Sequence, residues 1–311
     1  MISVVIPVYN EEKNVAELHS ELLEVFKNLE KPFEIIFIND GSADKTLLEL
    51  KKLKPVRAIS FVKNSGKSAA FDAGFRAARG NVIVTMDGDL QNIPADIPKL
   101  LAELDRGFDV AAGWRVDRWR SYFLTRRLPS LVANWLISLI TGVKLHDHGC
   151  ALKAYKKTAL KHIELNEDMQ RMVAVQAALS GAKIKEVKIG FRGRKHGISK
   201  FGANRIITVL LDLLNFYFFE RYGRRVSHFF GTAGFFILIL AVLTFLWAFV
   251  LKLFFATHFV NTPLPIFTAI FVVVGFQFIF MGVLAELIVR NRGKSDNSDR
   301  ALYKIAEEFE V

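Results

Sequence analysis

The sequence predicts an α/β domain carried on a two-helix membrane anchor, and three observations predict it. Short β-branched runs alternate with helical stretches through the N-terminal part, the pattern of βαβ units around a parallel sheet. The 311 residues are 51% hydrophobic, with mean hydropathy +0.26, yet the apolar surplus sits after about residue 229. Two stretches there, Phe229 to Leu251 and Leu264 to Glu286, are free of charge up to the closing glutamate. As helices, each is long enough to cross the ~30 Å hydrocarbon core of a bilayer.

The elements follow in order. "ISVVIPVYN" reads as a strand and its exit loop, and "EEKNVAELHSELLEVFKNL" as a helix with apolar residues at 15, 18, 22, 25, 26 and 29. "FEIIFIND" is a second strand, "ADKTLLELKKL" a second helix, and "VRAISFV" a third strand. "KSAAFDAGFRAARG" is a third helix and "NVIVTMDGD" a fourth strand. In open α/β sheets ligands bind beyond the carboxyl ends of strands. The polar clusters fall there: Asn10 and Glu11, Asp40, Lys63 to Lys67, then Asp87 and Asp89. Asp-Gly between strands is also a hairpin signal, so Asp87-Gly88-Asp89 reads by itself as a turn or as a metal site. Its sharing of an edge with three other polar strand ends raises the odds of a site.

Composition narrows the function classes. A formal net charge of +11 implies an anionic partner: nucleic acid, a phosphate-bearing substrate or an anionic membrane. The basic residues gather around the phosphate-type loops and the membrane flanks, so nucleic acid ranks last. The single cysteine, Cys150, excludes an intramolecular disulfide and a multi-thiolate zinc site; it reads as a buried thiol. "MISVVIPVYNEE" lacks the basic start of a signal peptide. No Gly-x-Gly-x-x-Gly follows the first strand, and Gly66-Lys67-Ser68 lacks the glycine five residues earlier, where Phe61 stands. These absences argue against a dehydrogenase and a Walker-type NTPase. A carboxylate pair at a strand end instead suits a hard cation, Mg²⁺ or Mn²⁺, bridging a diphosphate.

The membrane segments are flanked by "ERYGRRVSH" before the first and "RNRGK" after the second, while the connecting loop, about 252 to 263, holds Lys252 as its firm positive charge. Positive-inside logic places both termini in the cytoplasm, as an integral protein of the cytoplasmic (inner) membrane. "NRIITVLLDLLNFYFFERYGRR" (204 to 225) reads equally as interfacial helices or as an ordinary amphipathic core helix. The expected organisation is a catalytic domain over 1–203, interfacial helices over 204–228, the anchor over 229–290 and a cytoplasmic tail over 291–311.

"VVIPVYNEE", "FINDGSADKT", "NSGKSAAFDAGFRAARG" and "MDGDLQNIP" together resemble family 2 glycosyltransferases of the GT-A fold. More narrowly they resemble the polyprenyl-phosphate glycosyltransferases, the group of dolichyl-phosphate mannose synthase and the bacterial undecaprenyl-phosphate sugar transferases. The similarity covers about residues 1 to 225, and the two spans match the bacterial members' anchor. The resemblance implies that Asp87, Asp89 and Gln91 ligate Mg²⁺ or Mn²⁺ and the donor diphosphate. It puts Pro7, Tyr9 and Glu11 in the first nucleotide-binding loop and Asp40 on the base or ribose. Lys67 matches a phosphate contact or a solvated lysine. Arg115 and Arg126, with Arg127 as the alternative to Arg126, fall where this group binds the lipid phosphate, a task suited to arginine's planar fork. Asp147 matches an active-site floor residue and Lys153 an arginine of that stretch, although Cys150, Ala151 and Leu152 depart from the pattern. Asp168 and Arg171 align with an acidic-to-basic motif in which Gln170 replaces the usual histidine. "RGRKHGISKFG" resembles the loop that closes over the substrates, with Arg194, Ser199 and Lys200 as phosphate contacts.

The activity so implied is inverting transfer of a sugar from a UDP- or GDP-sugar to polyprenyl phosphate, undecaprenyl or dolichyl, with a homo-oligomer compatible with so small an anchor. A processive polysaccharide synthase needs more helices and a Gln-x-x-Arg-Trp motif, neither of which is found. Another nucleotide-dependent transferase on the same core, or a membrane-tethered non-catalytic scaffold, remain the alternatives; the intact acidic motif and the arginines speak against the scaffold.

Overall fold

The computed structural model describes residues 1–116, 128–161, 163, 165, 169–193, 195, 226–255, 258–292 and 303–311. The chain divides into two units, Met1–Leu213 with Ala301–Val311, and Leu214–Arg300.

In the first unit, β1 (Ile2–Val8), β2 (Phe33–Asn39), β3 (Arg57–Phe61) and β4 (Val82–Thr85) run parallel in the order β4-β1-β2-β3. They alternate with α1 (Val15–Leu29), α2 (Thr46–Leu50) and α3 (Lys67–Ala77), and α4 (Ile97–Asp105) follows β4. The strands are apolar at nearly every position because both faces are covered. Val4 and Ile6 join Leu18, Leu22 and Phe26 of α1 and Leu100 and Leu104 of α4 in one core. Val5, Ile36 and Ile38 join Ala69, Ala70 and Ala73 of α3 in the other. Each buried Val, Leu, Ile or Phe among these contributes about 1.5–3 kcal/mol by leaving water. Helix α3 lies close on the sheet because Gly74 has no side chain: a Cβ there would meet Val5 Cγ1 at 2.1 Å. The second helix is shorter than its apolar pattern suggested, since Pro55 disfavours helical backbone at Lys54 and the chain turns after Leu50.

The sheet extends beyond these elements through β5 (Val110–Arg115), β6 (Lys153–Lys156), β7 (Ile184–Ile189) and β8 (Ile305–Glu310), with α5 (Leu128–Thr141) and α6 (Val173–Leu179) between them in the chain. The full order is β7-β5-β6-β4-β1-β2-β3-β8. Strand β6 is antiparallel to β4 and β5, β7 is parallel to β5, and β8 is antiparallel to β3. Strand β8 lies in the stretch read from sequence as a tail. It is held by Arg57 to Glu308, Arg79 to Glu310 and Lys51 to Glu307, and by Tyr303 stacked on Phe61 at 4.5 Å. From β1 the chain winds outward through β2 to β3, then returns to β4 on the opposite side of β1. The gap between β1 and β4 is therefore the topological switch point, where an open sheet of this kind binds its ligand.

The second unit is a helical hairpin, α7 (Val226–Phe255) and α8 (Leu264–Arg292), joined near a 3-10 turn at Phe259–Asn261. Ser227–Phe254 and Leu264–Ile288 are candidate membrane spans. Only 17% and 11% of their most apolar windows are buried, so the apolar side chains face outward rather than filling a core. The helices approach through small residues, as spans do in lipid. A Cβ on Gly234 would come within 2.7 Å of Gly275 O, and one on Gly275 within 2.7 Å of Leu238. Thr244 and Thr268 share a hydrogen bond of 3.0 Å across the pair. The segment 204–225, read as interfacial or core helix, lies outside the described residues.

Candidate active site

The switch point brings the acidic motif to the end of β1. Gly88 makes this approach: a Cβ on it would sit 2.6 Å from Val8 Cγ1 and 3.4 Å from Pro7 O. Glycine thus lets the exit of β4 pass directly over the exit of β1, with Asp87 and Asp89 on either side. Asp87 is ion-paired with Lys67, the first residue of α3. Asp89 is 7% exposed, and its Oδ1 accepts the backbone N–H of Gln91 at 3.2 Å. The turn and the site are one structure, since a backbone N–H of the turn orients the second carboxylate.

The neighbouring loops are stitched together around this point. Glu11 accepts from Asn14 Nδ2 at 2.5 Å, and its own N–H donates to Thr46 Oγ1 at 2.8 Å. The Asn10 side chain accepts from Ala43 N at 2.9 Å. Asp40, 5% exposed, accepts the N–H groups of Ser65 at 2.7 Å and Gly66 at 3.1 Å. The carboxylate that the sequence placed against a nucleotide fastens the loop entering α3. Gly41, at φ +64, is needed here because a Cβ would lie 2.4 Å from the Lys63 carbonyl carbon.

At the end of β5, Arg115 and Asp147 form a buried bidentate pair, Nε to Oδ2 at 2.6 Å and Nη2 to Oδ1 at 2.9 Å. Sequence placed Arg115 against a lipid phosphate; in the structure two of its five N–H donors are spent on Asp147. Burial opposes the Arg115 charge, but the Cys150 sulfur and the Asp147 carboxylate outweigh it and raise its pKa, with Asp87 adding to the same field. Lys153, fully buried, donates to His148 O at 3.1 Å and has no carboxylate at ion-pair distance among the described residues. Burial pulls its ammonium down to about 8, with Cys150 and Asp147 resisting. His148 is pushed down to about 4 by burial and then by Lys153. Burial drives the Cys150 thiol up to about 11 against the pull of Arg115, so it is the inert thiol that the sequence suggested.

Some contacts carry no sequence signal of their own. Ser68 donates to Gln170 Oε1 at 2.6 Å and accepts from Gln170 N at 3.1 Å. Gln170, standing where a histidine was expected, ties the turn before α6 to the start of α3 beside Lys67. The loop expected to close over the substrates begins bonded to the acidic motif: Arg192 N donates to Gln91 O at 3.0 Å and Gly190 N to Asp96 at 2.8 Å. Arg192 and Lys195 then pair with Glu21 and Glu17 of α1. Arg126, Arg127, Asp168, Arg194, Ser199 and Lys200 lie outside the described residues.

Among the described residues no three His, Cys, Asp or Glu side chains gather to hold a metal. Two carboxylates and an amide oxygen at Asp87, Asp89 and Gln91 nevertheless fit a Mg²⁺-type ion, which takes one or two protein carboxylates and completes its shell with phosphate and water.

The profile of glycosyl transferase family 2 matches residues 3–164. The chain is 38% identical to dodecaprenyl-phosphate galacturonate synthase of Rhizobium johnstonii over 305 residues, 96% of this chain and 90% of that one. It is 35% identical to undecaprenyl-phosphate 4-deoxy-4-formamido-L-arabinose transferase of Pseudomonas fluorescens, covering 93% of this chain and 85% of that one. In fold it resembles glucosyl-3-phosphoglycerate synthase of Mycobacterium tuberculosis, with a TM-score of 0.53 at 21% identity over 68% of this chain and 80% of that one. With a GT-A-like sheet, an acidic motif at its switch point and relatives matched along almost its full length, the chain belongs to glycosyl transferase family 2 and is similar to that family's polyprenyl-phosphate sugar transferases.

Proposed function

We propose that this protein transfers a sugar from a nucleoside-diphosphate donor, a UDP- or GDP-sugar, to polyprenyl phosphate at the cytoplasmic face of the membrane. The observation that carries this reading is the convergence of Asp87, Asp89 and Lys67 on the β1–β4 crevice above the buried Arg115–Asp147 pair. The curated relatives, named for sugar transfer to dodecaprenyl or undecaprenyl phosphate, support the acceptor. The cytoplasmic face is supported by the basic flanks of the spans and by connectivity. The chain leaves the first unit, enters a two-span hairpin, and returns to the same sheet as β8; an even number of crossings puts both ends on one side.

Asp87, Asp89 and Gln91 would hold the Mg²⁺ or Mn²⁺, which when bound neutralises charge on the diphosphate leaving group. The residues of the chain do the rest by position. Tyr9, Glu11 and Asp40 would contact the nucleotide. Lys67 moves from Asp87 to a donor phosphate oxygen as the donor binds. Asp147 fixes the Arg115 fork, whose remaining donors orient the acceptor phosphate. An acceptor phosphate oxygen forms the new bond to the anomeric carbon, the bond to the diphosphate oxygen breaks, and the nucleoside diphosphate leaves with inversion. A phosphate monoester is already anionic near neutral pH, its second pKa being about 6, so no side chain need remove a proton. Orientation and preorganised charge supply the acceleration.

The test is turnover by the purified full chain with undecaprenyl phosphate and a panel of UDP- and GDP-sugars. A glycosylated lipid phosphate in the mass spectrum, with stoichiometric release of nucleoside diphosphate, is the expected result. A product that carries the nucleotide instead would assign the other transferase chemistry, and release of nothing with any donor would leave the scaffold.

A further inference from the structure

Strand β7 lies at one end of the sheet, and its Glu186 is bonded to the loop before β6. Glu186 Oε1 accepts the backbone N–H of His146 at 2.7 Å and that of Asp147 at 3.2 Å, while Oε2 meets His146 Nδ1 at 2.7 Å. An ionised carboxylate only accepts, so Nδ1 carries the proton and donates it. The Glu186 side chain is 13% exposed, so water competes little for these bonds. The His146 ring also stacks on Trp114 of β5, with centroids 4.1 Å apart, and Asn134 Nδ2 donates to His146 O at 2.7 Å. His146 is thus held by its N–H, its C=O and its ring.

We propose that Glu186 is a positioning residue for sugar transfer. By fixing the backbone at His146 and Asp147 it sets where the Asp147 carboxylate stands, and so where the Arg115 guanidinium is presented. The inference rests on the sugar-transfer reading above, in which Arg115 orients the acceptor phosphate. The path of contacts is short. Glu186 takes the N–H of Asp147, and the Asp147 carboxylate takes Arg115 Nε and Nη2 at 2.6 and 2.9 Å. Glu186 stands in register with Ala112 of β5, and Arg115 ends that strand, so the brace and the guanidinium start from one rigid piece of sheet. Charge balance does not account for the glutamate. Among the described residues no lysine or arginine lies at ion-pair distance from it; Lys185 and Lys188, its neighbours on β7, sit over the rings of Phe108 and Trp114 instead. Position matters because a misplacement of about 1 Å can cost on the order of 10²-fold in rate.

The experiment compares the full chain in detergent with two variants that separate reach from charge. Glu186→Asp keeps the charge but is one methylene shorter. Glu186→Gln loses the charge but keeps the reach, and its amide can donate to His146 Nδ1 in the other tautomer. Hydrogen–deuterium exchange is read first, without substrates. The amides of 146 and 147 should exchange roughly 10–100-fold faster in E186D, the scale of losing hydrogen bonds to a carboxylate, and at the wild-type rate in E186Q. Unaltered protection of β1 checks that the sheet is intact. Transfer to undecaprenyl phosphate is read second. E186D should lower kcat/KM for the acceptor by about 10-fold or more and leave the donor KM unchanged, whereas E186Q should keep both. Wild-type exchange at 146 and 147 in E186D would overturn the brace, and faster exchange with wild-type transfer would overturn its part in positioning. E186Q behaving as E186D does would also overturn the proposal, since charge rather than reach would then matter. A wild type that glycosylates no lipid with any donor would sink the sugar-transfer reading alone, and the exchange rates would still decide the brace.

Discussion

At the end of β5, Arg115 and Asp147 have side chains only 4% and 9% exposed, whereas at the β3–β8 edge Glu308 is 42% exposed where it meets Arg57. Arg79 and Glu310, farther along that edge, pair with more than half of each side chain exposed. Both places border one sheet and both look charged in sequence, yet their energetics differ. An exposed pair gains little, because water screens it and two long side chains must be ordered. A buried pair stands on a large desolvation cost, so removing one partner leaves a charge with no compensation. The difference teaches where this fold stores electrostatic tension: inside, between β5 and the loop before β6, and not along its edge.

The sharpest way to break the contrast is at the acidic motif. Asp89→Ala is expected to lower the rate of sugar transfer by at least ~10²-fold, the scale of losing one preorganised electrostatic group, while the protein still elutes as a folded species from detergent. Unchanged turnover would remove Asp89 from the metal and diphosphate site. Next comes Asp147→Ala, which strands the buried guanidinium of Arg115 and should cost about 3–5 kcal/mol, read as a lowered denaturation midpoint. The double substitution D147A with Arg115→Met should recover part of that loss, because no buried charge is then left alone.

Lys153→Met should act in the opposite direction. The folded pKa of Lys153 is about 8, against 10.5 for a free lysine, so the fold disfavours the cation. The penalty is complete below pH 8 and fades as pH rises toward 10.5, above which both states are neutral. Wild-type stability should therefore climb between those values. Lys153→Met should gain on the order of 3 kcal/mol at pH 7 and lose that slope; denaturant midpoints from pH 7 to 10.5 would show it. The smallest effect belongs to the edge: Glu308→Gln is expected to change stability by no more than about 1 kcal/mol and to leave transfer intact. A large loss there would mean that the edge pair is coupled to the crevice.

The strands that build the crevice were legible because both faces of each are buried, which writes near-continuous runs such as Val4-Val5-Ile6 into the chain. Helix α1 was legible because its buried residues Val15, Leu18, Leu22 and Phe26 keep a helical period. Strand β8 was not, since "IAEEFE" carries three glutamates and is held by a backbone ladder to β3, far away in the chain. The acidic motif could be placed at a strand end, but not the cation beside Asp87: Lys67 sits on another element, and only the sheet order brings them together. Arg115 and Asp147 were both singled out in sequence, but their pairing across 32 residues shows only in the fold.

Strand β8 also sets a schedule. Arg57 and its partner Glu308 are 251 residues apart, and both candidate spans lie between them. At 5–20 residues per second of synthesis, β3 waits roughly 10–50 s for its neighbour. During that interval the N-terminal sheet ends in an unpaired edge, the feature that other chains recruit for aggregation. Strand β8 thus pairs with β3 only after both candidate spans have been made.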